Sequence, residues 1–184
     1  MGTMRRSAVV SLALALAFGG ADAQEVDAQE VDVAQEAYFR AVAEFFDVPS
    51  SEIDILRDWR LAPEEIPVVL FFAEGAGVAP EALVALRRSG ESWTGISDRY
   101  GVGAAELPLP LPDQAAAGPL STVYRQYRDL PANQWREIRL DSDDILALVN
   151  VRLLSQTLGV SLTQVLSRAG STESFVHLYG ELIR

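Results

Sequence analysis

The chain has no cysteine, no lysine and a single histidine, His177. Without cysteine it cannot form a disulfide, an iron–sulfur cluster or a thiolate zinc site. All 15 basic residues are arginines, a pattern read most simply as codon bias in a GC-rich genome. They face 26 acids, for a formal net charge of −11. The chain therefore lacks the broad basic footprint that phosphate backbones require. It also lacks an apolar run of the roughly 20 residues that a membrane-spanning helix needs.

What is there is a large apolar fraction. About half of the 184 residues are hydrophobic (49%), enough to build a core for one ordinary domain or two small ones. The N-terminus has the layout of a secretory leader. Arg5 and Arg6 form a basic start, residues 8–18 are apolar, Gly19 and Gly20 break the run, and Ala21-Asp22-Ala23 places small residues at the cleavage site. Residues 1–23 are thus expected to be a signal peptide cleaved after Ala23. The product is expected to be periplasmic or secreted, with no transmembrane span after cleavage. Residues 24–37 repeat QEVDA as QEVDV and carry acids with no base. This stretch is expected to be disordered or a fraying helix leading into the fold.

From residue 38 onward the apolar spacing is helical. A joint then recurs: Asp47-Val48, Gly77-Val78, Gly101-Val102 and Gly159-Val160, each with a branched apolar residue five places after the valine, namely Ile53, Leu83, Leu107 and Val165. In this reading Gly or Asp takes the left-handed conformation that ends one helix, the valine packs back on it, and the next residue caps a new helix. Ser161 begins an S-x-x-Q capping box and Pro80 suits a first helical turn.

A longer echo accompanies the joints. RLAPEEI at 60–66 and RLDSDDI at 139–145 both place paired acids at the start of a strongly apolar stretch. Pro63 suits a first helical turn, Asp141 or Ser142 can cap, and the acids meet the positive end of the helix dipole. Glu91-Ser92-Trp93 matches Glu173-Ser174-Phe175 at the offset that relates Gly77 to Gly159. The expected architecture is all-α: two related helix-turn-helix units, 38–107 and 121–184, arising from an internal duplication. A proline-rich linker, 108–120, joins them.

Residues 86–107, LRRSGESWTGISDRYGVGAAEL, resemble the helix-turn-helix of DNA-binding proteins. The resemblance implies a nucleic-acid-binding regulator with a misread leader as the alternative function. Charge argues against it. Residues 38–119 carry six arginines against thirteen acids, and the expected reading helix at 103–107 has no base-reading side chain except Glu106.

Other chemistry is weakly supported. His177 and Ser174 are three apart on one expected helix, but no nucleophile-elbow motif accompanies them. The acids at 141–144 lack the glycine and closing glutamate of a calcium loop, and capping accounts for them. No catalytic, metal or cofactor site is expected. The most unusual segment is 121–140, where Tyr124, Tyr127 and Trp135 interleave with Arg125, Arg128, Arg136 and Arg139. Arginine beside aromatics suits a protein or envelope partner. The competing reading docks this basic segment on the acidic first unit. Asn150 and Arg152 interrupt the apolar helix of unit two, and if buried they need polar partners. The expected function is that of an exported, non-enzymatic binding protein.

Overall fold

The computed structural model describes residues 21–110 and 117–184, with side chains from residue 32 onward. Residues 1–20, most of the expected leader, and 111–116, the middle of the proline-rich linker, lie outside the described residues. Among the described residues the protein is all-helical, with no strands. No described helix is long and apolar enough to cross a membrane.

Nine α-helices follow in order: α1 (Ala21–Phe45), α2 (Ser50–Asp58), α3 (Ile66–Ala76), α4 (Pro80–Arg88), α5 (Trp93–Tyr100), α6 (Ser121–Asp129), α7 (Ser142–Leu158), α8 (Leu162–Ala169) and α9 (Phe175–Leu182). Short 3-10 turns, Pro63–Glu65, Gly118–Leu120 and Ala132–Glu137, precede α3, α6 and α7 respectively. The acidic stretch 24–37 is continuous with α1, and its last turn is packed. Glu36 accepts from Arg57 at 2.6 Å. A Cβ built on Gly180 would come within 2.9 Å of the Ala34 Cβ, so α1 and α9 cross over small side chains.

α7 is the axis of the molecule. It touches α1, α3, α5, α8 and α9. Its Ile145, Leu148, Val151, Leu153 and Leu154 are fully buried or nearly so. α3 mirrors it with Ile66, Val68, Val69 and Phe72. At about 2 kcal/mol for each buried branched or aromatic side chain, these two helices dominate the core. Both are apolar nearly all round, as central helices must be.

The joints follow the expected backbone chemistry. Asp47, Gly77, Gly101 and Gly159 are left-handed, with φ of 51°, 63°, 67° and 64°. Val48 and Val78 donate their N–H groups back to Ala43 and Ala73, at 3.0 and 3.1 Å. Ile53, Leu83, Leu107 and Val165 are all buried. Ser161 caps α8, accepting from the Gln164 N–H at 3.2 Å. The third joint departs from expectation, because no helix follows Gly101-Val102. The chain turns instead, with Glu106 N–H on the Gly103 carbonyl and the Glu106 carboxylate on the Gly103 N–H at 2.9 Å. Gly103 is a poor helix former, and Pro108 and Pro110 have no N–H to extend a helix, so one turn is all the segment can make.

The echoed motifs do the same local job. In the second, Asp141 accepts from the Asp144 N–H at 2.7 Å, and Asp144 accepts from the Asp141 N–H at 3.1 Å. In the first, Ala62 has no capping side chain, but Glu65 still accepts from the Ala62 N–H at 3.3 Å. Burial raises the Asp144 carboxyl above its ordinary 3.8, and the charges of Asp141 and Asp143 push the same way, while its bond from the Asp141 N–H pulls it down. A raised carboxyl favours its protonated form in the folded state. Its contribution is thus full below about pH 3.8 and is lost as pH rises through the higher folded value. Asp144→Asn keeps an oxygen for the Asp141 N–H and removes the half-buried charge. At pH 7 it is expected to melt slightly higher than the parent. The gain stays below about 1 kcal/mol, because the helix dipole favours the lost charge by a similar amount. It should vanish as pH falls towards 3. A gain that grows on acidification would contradict this account.

Candidate functional site

α6 sorts the arginine–aromatic segment into two faces. Val123, Tyr124 and Tyr127 point inward and are buried, while Arg125 and Arg128 are exposed. The Tyr127 hydroxyl donates to the Ala104 carbonyl at 2.7 Å, tying α6 to the turn that follows α5. The Trp135 indole N–H donates to the carbonyls of Tyr127 and Leu130 at 3.2 and 3.1 Å. Its ring meets Tyr127 edge-on, with centroids 5.2 Å apart. Among the described residues the buried Tyr124 hydroxyl has no hydrogen-bond partner. Burial pushes both tyrosine hydroxyls well above their ordinary value.

The three aromatics therefore build a small core under the segment, and the arginines face out beside the exposed Asp129 and Glu137. Arg139 meets Asp98 at 2.8 Å, and Arg136 lies 4.0 Å from Glu106. These contacts span a cleft of about 450 Å³ between residues 97–106 and 136–140, with Ser97 on its wall. The internal docking that competed with the partner reading is thus present in part. It is weak, because Arg136 and Arg139 keep 82% and 75% of their side-chain surface exposed. Exposed pairs of this kind contribute at most about 1 kcal/mol.

Two polar nodes lie deeper. Asn150 is fully buried on α7. It accepts a short hydrogen bond from the Tyr38 hydroxyl of α1 and donates to the Glu64 carbonyl at 3.0 Å and the Leu146 carbonyl at 2.8 Å. Burial, and then the Glu64 charge, raise the Tyr38 hydroxyl well above its ordinary value, so it remains a donor. The second node was not anticipated from the sequence. Glu65 accepts from Arg87 Nε and from the Trp93 indole N–H, both at 3.0 Å, and makes a short contact with Arg87 Nη2. Arg87 also lies 4.9 Å over the Trp93 ring, which stacks on Phe72. The only hint in the sequence was Glu65 itself, read as a partner of the helix dipole.

Arg152, for which a carboxylate partner was expected, reaches among the described residues only the Glu106 carbonyl, at 3.4 Å. Ser174 accepts from the His177 N–H at 3.1 Å and so caps α9, and the exposed His177 ring lies 3.4 Å from Glu181. Among the described residues no three His, Asp or Glu side chains gather where they could hold a metal ion. No protein-family model, curated protein or solved structure matches the chain.

Proposed function

We propose that this is an exported, non-enzymatic binding protein that recognises an anionic protein or envelope component through Arg125, Arg128, Arg136 and Arg139. One observation carries the reading. The buried Tyr124 and Tyr127 and the half-buried Trp135 hold the segment from beneath, which leaves four exposed arginines on a molecule whose net charge is −11. A stiff scaffold lowers the entropy lost on binding. Arginine forks suit carboxylate or phosphate groups. A partner's anions can take over from Asp98 and Glu106 at little cost, since both pairs are exposed. Residues 1–23 act as the cleaved leader in this proposal.

The two units are proposed to descend from one duplicated ancestor. Supporting this are the matching left-handed Gly77 and Gly159, the back-reaching acids Glu65 and Asp144, and the capping Ser92 and Ser174. They have diverged since, because Ala169 and Phe175 stand where unit one has Arg87 and Trp93.

The test is expression with the native leader in a Gram-negative host, with a photo-crosslinking residue at position 125 or, as control, at position 88 on α4. A periplasmic species beginning at Gln24 is expected, with adducts from position 125 only. Charge reversal at Arg136 and Arg139 should abolish them. A full-length cytoplasmic species, or equal adducts from both positions, would overturn the proposal.

A further inference from the structure

Three arginines are half-buried among the described residues: Arg57, Arg87 and Arg152. Arg57 is neutralised by Glu36, and Arg87 by Glu65. Arg152 makes no ion pair among the described residues, and its one hydrogen bond, to the Glu106 carbonyl, is long. A half-buried guanidinium without an anion is costly, and apart from Asn150 and Arg152 itself α7 is apolar from Ile145 to Leu154. The side chain lines a pocket of about 260 Å³ where the end of α1, α3, α7 and the turn at 102–107 converge. The pocket's apolar walls are Phe45, Phe46, Phe71, Leu107 and Val149.

The carboxylates nearby are engaged elsewhere or face solvent. Glu106 also lines the pocket, but its carboxylate accepts from the Gly103 N–H and leans towards Arg136. Glu74 stands exposed on the rim. The pocket thus combines an aromatic wall with one unneutralised cation, which is the arrangement that recognises an apolar acid.

We infer that this pocket binds a small apolar carboxylate, with Arg152 pairing to the carboxylate and Phe45, Phe46 and Phe71 enclosing the apolar group. The volume sets the size. A cavity of about 150 Å³ holds a benzene ring, so 260 Å³ accommodates one ring, or a short acyl chain, together with a carboxylate. Glu74 is the internal competitor, since the exposed glutamate lines the same pocket as Arg152.

The test is a titration of the protein, followed by amide and arginine Nε–Hε NMR shifts, with two acids and their neutral amides: phenylacetate against phenylacetamide, and octanoate against octanamide. At least one acid is expected to bind about ten-fold or more tightly than its amide, with shifts at Phe45, Phe46, Phe71 and Arg152. Which acid wins decides between a ring and a chain. Arg152→Gln is expected to erase the preference for the acid. The exposed Glu74→Gln, which leaves the core untouched, is expected to tighten binding of the acid several-fold and leave the amide unchanged. Equal binding of acid and amide would overturn the inference, as would no binding of either acid at millimolar concentration. So would a Glu74→Gln variant that binds the acid no better than the parent. None of these outcomes depends on the surface of Arg125, Arg128, Arg136 and Arg139.

Discussion

Asn150→Ala is expected to destabilise the protein by about 3 kcal/mol, a large share of the 5–15 kcal/mol that holds a typical domain together. The side chain is the only fully buried polar one on α7, and it joins three parts of the fold. Its oxygen receives the Tyr38 hydroxyl from α1, and its nitrogen serves the Glu64 carbonyl in the turn before α3. Truncation removes the partner of the fully buried Tyr38 hydroxyl and of the part-buried Glu64 carbonyl. Each unsatisfied group costs about 1–3 kcal/mol, and water cannot easily replace the lost atoms in a packed apolar core. The Leu146 carbonyl suffers less, because it lies one helical turn back on α7.

Tyr38→Phe removes the donor and keeps the ring against Tyr179, 5.8 Å away and edge-on. It should cost about half as much as Asn150→Ala, because one acceptor atom is stranded rather than two groups. The double variant should then lose less than the sum of the singles by about 1 kcal/mol or more. Urea unfolding of the four proteins measures this. Strict additivity would show that the hydroxyl and the amide do not act as one unit.

Glu65→Ala is expected to cost about 3 kcal/mol for a different reason, since here a charge is stranded. The Glu65 and Arg87 side chains keep only 13% and 24% of their surface exposed. Removing one partner of a largely buried pair typically costs 3–5 kcal/mol, and the residual exposure of Arg87 puts the effect at the lower end. Glu65 also serves the Trp93 indole and the Ala62 N–H, so the start of α3, the end of α4 and the start of α5 loosen together. Near-UV circular dichroism should register this, because Trp93 is 1% exposed and stacked 5.6 Å from Phe72. Arg87→Met should be milder than Glu65→Ala. It leaves the carboxylate with two N–H donors and replaces the guanidinium by an apolar group of similar length. If Arg87→Met proved the more damaging, the cation's contact with the ring would outweigh the carboxylate's hydrogen bonds.

The candidate site was legible in the sequence only in outline. Interleaved Tyr, Trp and Arg marked the segment 121–140, but periodicity on a nine-residue helix does not say which face is covered. Tyr124 and Tyr127 went inward because the Ala104 carbonyl and the Trp135 ring were there to receive Tyr127. The helix expected at 103–107 failed for a reason the sequence did contain, since Gly103 and the two prolines that follow leave a helix no room to grow.

What the sequence determined by itself was local. It set the all-helical class, the four left-handed joints at Asp47, Gly77, Gly101 and Gly159, the Asp141 cap and the apolar helices at the centre. Each rests on interactions within about one helical turn, or on a spacing that a single helix enforces. What the tertiary structure alone decided was pairing across the chain. Tyr38 found Asn150, Glu65 found Arg87 and Trp93, and Arg152 found a pocket walled by phenylalanines and the Glu106 carbonyl in place of an ion pair. A buried polar side chain announces that it needs a partner, but its own neighbours do not name one. That choice is made when the helices pack and bring distant residues within hydrogen-bond reach.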